Sequence, residues 1–295
     1  MKILITGSNG QLGNELQTAL KQMRTEIKEI SSIYKNAIVF AMDVNDLDIT
    51  DEAKVEKTMG VIKPDIVINC AAYTNVDKCE EEQELAYNLN ALAAKYLAIA
   101  CEKNGAKLCH ISTDYVFSGT GNTPFLETDD CAPQSVYGKT KYEGERFVKD
   151  NCSKYFIVRT SWLYGYVGQN FVKTILRIAK ENDSIKVVND QLGNPTNAND
   201  LAYHILKLIE TNEFGTYHCT GKGICSWFDF ACSIVKFAGI DCNVIGCTTE
   251  EFPRPAKRPA YSALDKTNLD KAVKDEMRDW KEALKQYINT LEGLK

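Results

Sequence analysis

The sequence predicts an α/β protein in which a doubly wound parallel sheet of the Rossmann type is followed by a smaller C-terminal α/β substrate-binding domain. Three observations support this fold class. Short apolar runs alternate with amphipathic stretches, a pattern typical of parallel strands joined by helical crossovers. A glycine-rich loop directly follows the first apolar run, and a Tyr-x-x-x-Lys motif begins at Tyr137.

The predicted domains meet near residue 160. Residues 1–160 are expected to form the dinucleotide-binding domain, with strands at 2–6, 37–42, 65–72, 107–113 and 155–160 and with helices from Gly10 and at 51–59, 82–103 and 133–150. Residues 161–295 are expected to form the substrate-binding region, with helices at 170–181, 198–210 and 280–291, a capped helix from Ser226, and strands at 185–188 and 216–219. Some of these later segments are expected to return to the first domain.

Composition excludes several classes of function. A formal charge of -5 and a pI near 5.4 argue against nucleic acid or an anionic membrane as the partner, since both select basic surfaces. No apolar run approaches the roughly 18 to 20 residues of a membrane span. The eleven cysteines are scattered without a Cys-x-x-Cys pair and only three histidines occur, so we predict no metal site and a reducing, cytoplasmic location.

The glycine loop is the first candidate site. Its glycines have G-x-x-G-x-x-G spacing between a strand and an amphipathic helix, where they permit a tight turn and close approach of the backbone to a pyrophosphate. The helix N-terminus then faces the phosphates. The predicted loop contacts to the cofactor are Gly7, Asn9, Gly10, Gln11, Leu12 and Gly13.

Asp43 is the candidate for binding the adenosine ribose, because it ends the second predicted strand. It lies about 30 residues past the loop rather than about 20, and residues 26–36 look like an insertion. The alternative, that Asp43 merely ends a strand, stays open. No arginine follows this strand to bind a 2′-phosphate, which favours tolerance of NADH.

A proton donor is predicted at Tyr137. Tyr137 and Lys141 stand at i and i+4, so a helix places both on one face, and the ammonium is expected to lower the pKa of the tyrosine. Thr113 ends a predicted strand, where its hydroxyl can hydrogen-bond a substrate carbonyl, whereas Ser112 is expected to point to the opposite side. The rival tyrosine, Tyr142, has no lysine at i+4.

These motifs resemble those of the dTDP-4-dehydrorhamnose reductase family, within the extended short-chain dehydrogenases/reductases. The resemblance covers the chain nearly end to end. The matching segments are 7–13, Cys70-Ala-Ala-Tyr-Thr-Asn-Val-Asp-Lys78, Ser112-Thr-Asp-Tyr-Val-Phe117, Tyr137-Gly-Lys-Thr-Lys141, Arg159-Thr-Ser-Trp-Leu-Tyr164, Asn189-Asp-Gln-Leu-Gly-Asn-Pro-Thr196 and Arg254-Pro-Ala-Lys-Arg-Pro259.

The resemblance implies a role for each matching residue. It implies a catalytic set of Thr113, Tyr137 and Lys141, the last two also contacting the cofactor. It places Asp48 and Ile49 beside adenine, and Ala71, Ala72, Tyr73 and Asn90 along the dinucleotide. It places Val76, Asp114, Tyr115 and Trp162 around the sugar nucleotide, and Arg258 on its diphosphate, with Arg254 and Lys257 as alternatives.

The implied activity is reduction of the C4 ketone of dTDP-4-dehydro-L-rhamnose to dTDP-L-rhamnose with NADPH or NADH, for polysaccharide synthesis. A small nucleotide sugar is the implied partner, and a homodimer is left open. Some relatives pair through magnesium bound to carboxylates, but no segment of this sequence predicts such a site. The alternatives are another NDP-4-keto-sugar reductase or epimerase, and a non-catalytic dinucleotide-binding regulatory subunit. A dehydratase usually has an Asp-Glu pair after its catalytic threonine, whereas Tyr115 follows Asp114 here.

Overall fold

The computed structural model describes residues 1–293. Its strands are β1 (Lys2–Thr6), β2 (Ile38–Met42), β3 (Ile66–Asn69), β4 (Lys107–Thr113), β5 (Tyr155–Thr160), β6 (Leu163–Tyr164), β7 (Ser184–Val188), β8 (Leu192–Gly193), β9 (Thr196–Asn197), β10 (Gly215–His218), β11 (Cys225–Ser226) and β12 (Asn243–Cys247). Its α-helices are α1 (Gln11–Gln22), α2 (Glu52–Ile62), α3 (Val76–Glu81), α4 (Gln83–Tyr87), α5 (Ala93–Asn104), α6 (Val136–Asn151), α7 (Phe171–Glu181), α8 (Ala198–Glu210), α9 (Trp227–Phe237), α10 (Thr267–Val273) and α11 (Trp280–Gly293).

The central sheet has six parallel strands in the order β10-β5-β4-β3-β1-β2. The strand order reverses at β1, which lies between β2 and β3. In such sheets, ligands bind outside the carboxyl ends of the strands near this switch point. The predicted fold class, a doubly wound parallel sheet, is confirmed.

Alternating side chains of β1 supply two cores, one on each face of the sheet. Ile3 and Ile5 pack with apolar residues of α1 and α8, whereas Leu4 packs with residues of α2, α5 and α6. A strand that is buried on both faces needs a continuous apolar run, which is what β1 has. The helices therefore fix the strand ends from both sides.

The second half of the chain contributes to two regions. Strand β10 extends the central sheet beside β5, and α8 packs against α1 on one face. The remaining elements form a third core, in which β7 and β12 pair in parallel and α7, α9 and α11 pack together. Helix α9 begins with a capping box between Ser226 and Asp229, as predicted.

Several elements differ from the sequence-based expectations. The helix predicted over 82–103 is interrupted by a π-helical segment at Asn88–Leu92, and α3 precedes it as a separate helix. Strand β12 and helix α10 were not predicted, because both are short and mostly solvent-facing and so lack a clear apolar period. Strand β3 ends at Asn69, where the Asn69 side chain accepts a hydrogen bond from the Ala71 amide.

Within residues 1–293, none of the helices combines the length and the apolar character that crossing a membrane requires. All eleven cysteines are present as free thiols. Most of them are buried, where a thiol behaves as a small apolar side chain.

Candidate active site

A cavity of about 880 Å³ opens at the carboxyl ends of the parallel strands. Most of its wall is formed by residues at or just after the carboxyl ends of β1 to β5. The predicted site residues that line it are Gly7, Asn9, Gly10, Gln11, Leu12, Gly13, Asp43, Asp48, Ile49, Ala71, Ala72, Val76, Thr113, Asp114, Tyr115, Tyr137, Lys141 and Trp162.

The glycine loop leaves the cavity wall without side chains at its tightest points. Gly7 has a φ of 63°, in the region that favours glycine, and a Cβ on it would lie 2.6 Å from the Ala71 amide nitrogen. A Cβ on Gly13 would lie 2.4 Å from the Gly7 carbonyl oxygen. Helix α1 begins after Gly10 with no side-chain cap. Its first amide groups therefore face the cavity, which suits a pyrophosphate.

Gly13→Ala is expected to raise the dissociation constant for NADH by at least about tenfold, because relieving the backbone overlap must displace the loop. Isothermal titration with NADH measures this. Gly60→Ala is the matched control, since a Cβ at this helical glycine meets nothing within 4 Å. It should leave binding unchanged and stabilise α2 by about 1 kcal/mol. Equal dissociation constants for the two variants would contradict the assignment of the loop.

The part of the cavity wall that follows β2 is acidic, because it carries the carboxylates of Asp43 and Asp48. Asp43 accepts hydrogen bonds from the backbone amides of Asn9 at 3.0 Å and Val44 at 2.8 Å, and so fastens the glycine loop to the end of β2. Hydrogen bonds from Thr50 hold the Asp48 carboxylate and lower its pKa. Among the described residues that line the cavity, Lys141 supplies the single cationic side chain.

The structure brings the three predicted catalytic side chains together. Tyr137 and Lys141 lie on successive turns of α6, whose N-cap Ser135 accepts a hydrogen bond from the Gly138 amide. Thr113 ends β4, and its hydroxyl lies close enough to Tyr137 to affect the pKa of that tyrosine. Lys141 is buried and donates to the Ile111 carbonyl oxygen at 2.6 Å. A strand end and a helix start thus hold these groups rigidly.

The expected lowering of the Tyr137 pKa is wrong for this structure. Burial raises the pKa of Tyr137, and the nearby Thr113 hydroxyl offsets only part of that increase. Burial also lowers the pKa of Lys141 to about 8, because a buried ammonium loses its hydration. Burial is thus the largest cause of both pKa shifts, and Tyr137 keeps its proton at neutral pH.

Asp114 is buried beside the catalytic set. Its Oδ1 accepts a hydrogen bond from the Thr113 hydroxyl at 3.0 Å, while its Oδ2 is buried without a hydrogen-bond partner. Burial raises the pKa of Asp114 to about 6. A buried carboxylate oxygen of this kind can accept a hydrogen bond from a polyhydroxylated ligand.

A buried ion pair holds helix α6 against the central sheet. Glu145, one turn after Lys141, accepts two hydrogen bonds from Arg159 at 2.8 and 2.7 Å, and a third from Ser112 at 2.6 Å. All three side chains are buried. The Ser112 hydroxyl thus donates its hydrogen bond to Glu145, and Thr113 provides the hydroxyl beside Tyr137.

Three predicted site residues do not line the cavity. Asn90 lies in the π-helical segment, and its side chain holds the backbone amide and carbonyl groups of Tyr73 at 2.8 and 3.1 Å. The Tyr73 hydroxyl hydrogen-bonds Glu82. Arg258 forms an ion pair with Asp77 at 2.9 Å, and its positive charge offsets part of the rise that burial causes in the pKa of Tyr115. These residues position the wall of the cavity from behind.

Sequence reasoning missed other residues of the cavity wall. Thr160 ends β5 and Ser161 follows it, where the rule about strand ends would have found them. Gln169, Asn170 and Trp227 come from the second half of the chain and had no local signal. Within residues 1–293, no group of three or more His, Cys, Asp or Glu side chains is arranged to hold a metal ion.

The chain matches known proteins over nearly its whole length. The family model described as the RmlD substrate binding domain matches residues 1–292. A dTDP-4-dehydrorhamnose reductase from Aggregatibacter actinomycetemcomitans is 40% identical over 298 residues, which cover 96% of this chain and 97% of that protein.

Solved structures agree with this match. The crystal structure of a dTDP-4-dehydrorhamnose reductase from Clostridium acetobutylicum is 54% identical, with a TM-score of 0.93 and coverage of 99% of this chain and 100% of that chain. Another, from Bacillus anthracis in complex with NADP, is 44% identical, with a TM-score of 0.90 and coverage of 98% and 99%. The chain therefore belongs to the dTDP-4-dehydrorhamnose reductase family, as its sequence motifs predicted.

Proposed function

We propose that this chain reduces the C4 ketone of dTDP-4-dehydro-L-rhamnose to dTDP-L-rhamnose, using NADPH or NADH. The observation that carries the proposal is the meeting of Thr113, Tyr137 and Lys141 with the glycine loop in one cavity. Residues 1–160 would hold the dinucleotide, and residues 161–295 would complete the site for the sugar nucleotide. The names of the relatives support the same substrate.

The dinucleotide fits the wall that the chain provides. The glycine loop and the uncapped start of α1 would hold the pyrophosphate, and Asp43 would accept hydrogen bonds from the adenosine ribose. Asp48 and Ile49 would flank adenine, and Ala71 and Ala72 would lie along the dinucleotide. When bound, the reduced cofactor supplies a hydride to C4 of the sugar.

The proton comes from the protein. Tyr137 would donate its hydroxyl proton to O4 as the new C4–H bond forms. The ketone would thus gain a hydride and a proton, and the cofactor would be left oxidised. Thr113, whose hydroxyl proton is donated to Asp114 in this structure, would turn that proton to O4 when the substrate binds, so that O4 receives hydrogen bonds from Thr113 and Tyr137. The Lys141 ammonium would stabilise the phenolate that Tyr137 becomes.

The substrate would occupy the side of the cavity opposite the glycine loop. Val76, Asp114, Tyr115 and Trp162 would surround the sugar nucleotide. Arg258 lies behind Tyr115 and would contribute positive charge near the diphosphate. A cytoplasmic location goes with this proposal, because eleven free thiols suit a reducing compartment.

The activity is expected to show a bell-shaped dependence on pH. The Lys141 ammonium, with a pKa of about 8, is lost as pH rises through that value. The Asp114 carboxylate, with a pKa of about 6, is lost as pH falls through that value. Plots of kcat/KM against pH report these free-enzyme groups. Asp114→Asn should remove the acidic limb while the alkaline limb remains; an unchanged acidic limb would contradict this assignment.

The test of the proposed function follows the absorbance of NADPH and NADH while the protein meets dTDP-4-dehydro-L-rhamnose. We expect substrate-dependent oxidation of free cofactor. An epimerase would retain its cofactor through the cycle, and a regulatory subunit would bind dinucleotide without turnover. Dinucleotide binding without oxidation would therefore overturn the proposal.

A further inference from the structure

Two tryptophans form a stacked pair in the cavity wall. The rings of Trp162 and Trp227 have centroids 3.5 Å apart and planes inclined by 7°. Both side chains are partly buried, and both line the cavity that holds the catalytic set. Trp162 follows β5, whereas Trp227 is the first residue of α9, so the third core brings them together.

The chain places Trp162 in an unfavourable conformation. Its φ is 47°, in the left-handed region, which costs free energy for a bulky residue. The segment is held by a hydrogen bond from the Thr196 amide to the Trp162 carbonyl oxygen at 3.2 Å, and by one from Ser161 to the Asn194 carbonyl oxygen at 2.7 Å. Strain that the surroundings enforce in this way is concentrated at functional sites.

The surroundings of the pair leave room for this one arrangement. A Cβ on Gly193 would lie 2.7 Å from an indole carbon of Trp162, so only glycine at this position leaves room for the ring. On the far side of Trp227, Phe171 packs against the indole with ring centroids 4.4 Å apart. The capping box of Ser226 and Asp229 fixes the backbone next to Trp227. Trp227 is thus a rigid support for Trp162.

We infer that Trp227 is a positioning residue for the substrate, acting by fixing the Trp162 indole in the cavity wall beside the sugar nucleotide. This inference rests on the proposed function and goes beyond it by assigning substrate positioning to a residue outside the sequence motifs. The part of the paired indoles that lines the cavity is apolar, which suits the C–H groups of a deoxysugar. The dinucleotide, held by the glycine loop and the end of β2, does not depend on the pair.

The test compares three variants with the wild type in steady-state kinetics. Trp227→Leu removes the flat support and should raise the KM for the nucleotide sugar by about tenfold. The dissociation constant for NADH should stay within about twofold of the wild-type value, which is a change in binding free energy of less than about 1 kcal/mol. Trp227→Phe keeps a flat ring and should restore most of the affinity. Trp280→Phe is the matched control, because Trp280 is buried against Phe230 and does not line the cavity.

Circular dichroism gives a readout that does not depend on activity. Two stacked indoles produce an exciton couplet, which should be present in the wild type and in Trp280→Phe and absent from both Trp227 variants. Should Trp227→Leu not fold, Trp227→Phe still tests the inference, with an expected rise in KM of about threefold.

Two results would overturn the inference alone. One is an active wild-type enzyme without the couplet; the other is a Trp227→Leu variant whose melting temperature falls but whose KM equals that of Trp280→Phe. An inactive wild-type protein would overturn the proposed function, and the inference with it.

Discussion

Tyr137→Phe is expected to lower kcat by about 10²- to 10⁴-fold, because the variant lacks the proton that O4 must receive. Tyr137 lies beside Thr113 at the end of β4, and no other tyrosine lies one turn before a lysine on α6. The dissociation constant for NADH should change little, since the glycine loop is untouched. Steady-state kinetics and NADH titration measure the two effects separately.

Tyr142→Phe provides the control for this prediction. Tyr142 lies on the same helix, is partly buried and does not line the cavity. Its replacement should leave kcat within about twofold, a change of less than 1 kcal/mol. A Tyr137→Phe enzyme that turns over at the wild-type rate would contradict the mechanism, and a loss of activity in Tyr142→Phe alone would move the proton donor to Tyr142.

Arg159→Met is expected to lower the free energy of unfolding by about 3 to 5 kcal/mol, because it leaves the buried Glu145 carboxylate without its partner. The two side chains are 2% and 0% exposed, so water cannot replace the lost hydrogen bonds. Arg159 also lies over the Phe117 ring at 5.0 Å. Denaturation by urea, followed by circular dichroism, measures the change.

An exposed ion pair of the same protein gives the comparison. Arg177 and Glu181 pair at i and i+4 with side chains 64% and 59% exposed, so Arg177→Met should cost less than about 0.5 kcal/mol. Replacing both Glu145 and Arg159 by apolar residues should recover part of the loss, although the Ser112 hydroxyl then loses its acceptor. Equal decreases in the free energy of unfolding for Arg159→Met and Arg177→Met would contradict the prediction that the buried pair matters more for stability than the exposed pair.

The part of the candidate site that contains the glycine loop, Thr113, Tyr137 and Lys141 could be located from the sequence because it depends on local patterns. Strand β1 is one apolar run, and the glycines after it are spaced for a turn into α1. Tyr137 and Lys141 are one helical turn apart in the sequence itself. Thr113 follows from the rule that ligands bind at the carboxyl ends of parallel strands.

The rest depends on contacts between distant segments, which no local pattern encodes. Trp227 reaches Trp162 because α9 packs in the third core, and the π-helical turn at Asn90 fits against Gly144 on α6. A Cβ on Gly144 would lie 2.2 Å from the Asn90 carbonyl oxygen, a constraint that is visible only once both helices are in place. The direction of the Tyr137 pKa shift could not be predicted either, because the i, i+4 spacing shows that a lysine is near but does not show the burial that raises this pKa.

The central claim is that hydride from free cofactor reaches C4 while the protein supplies the proton. The most direct measurement uses NADH that carries deuterium at the transferable position, with dTDP-4-dehydro-L-rhamnose as substrate, and locates the label in the product by nuclear magnetic resonance. We expect dTDP-L-rhamnose with deuterium at C4 and one NADH oxidised per sugar. A product with no deuterium at C4, or conversion without net oxidation of NADH, would contradict the central claim.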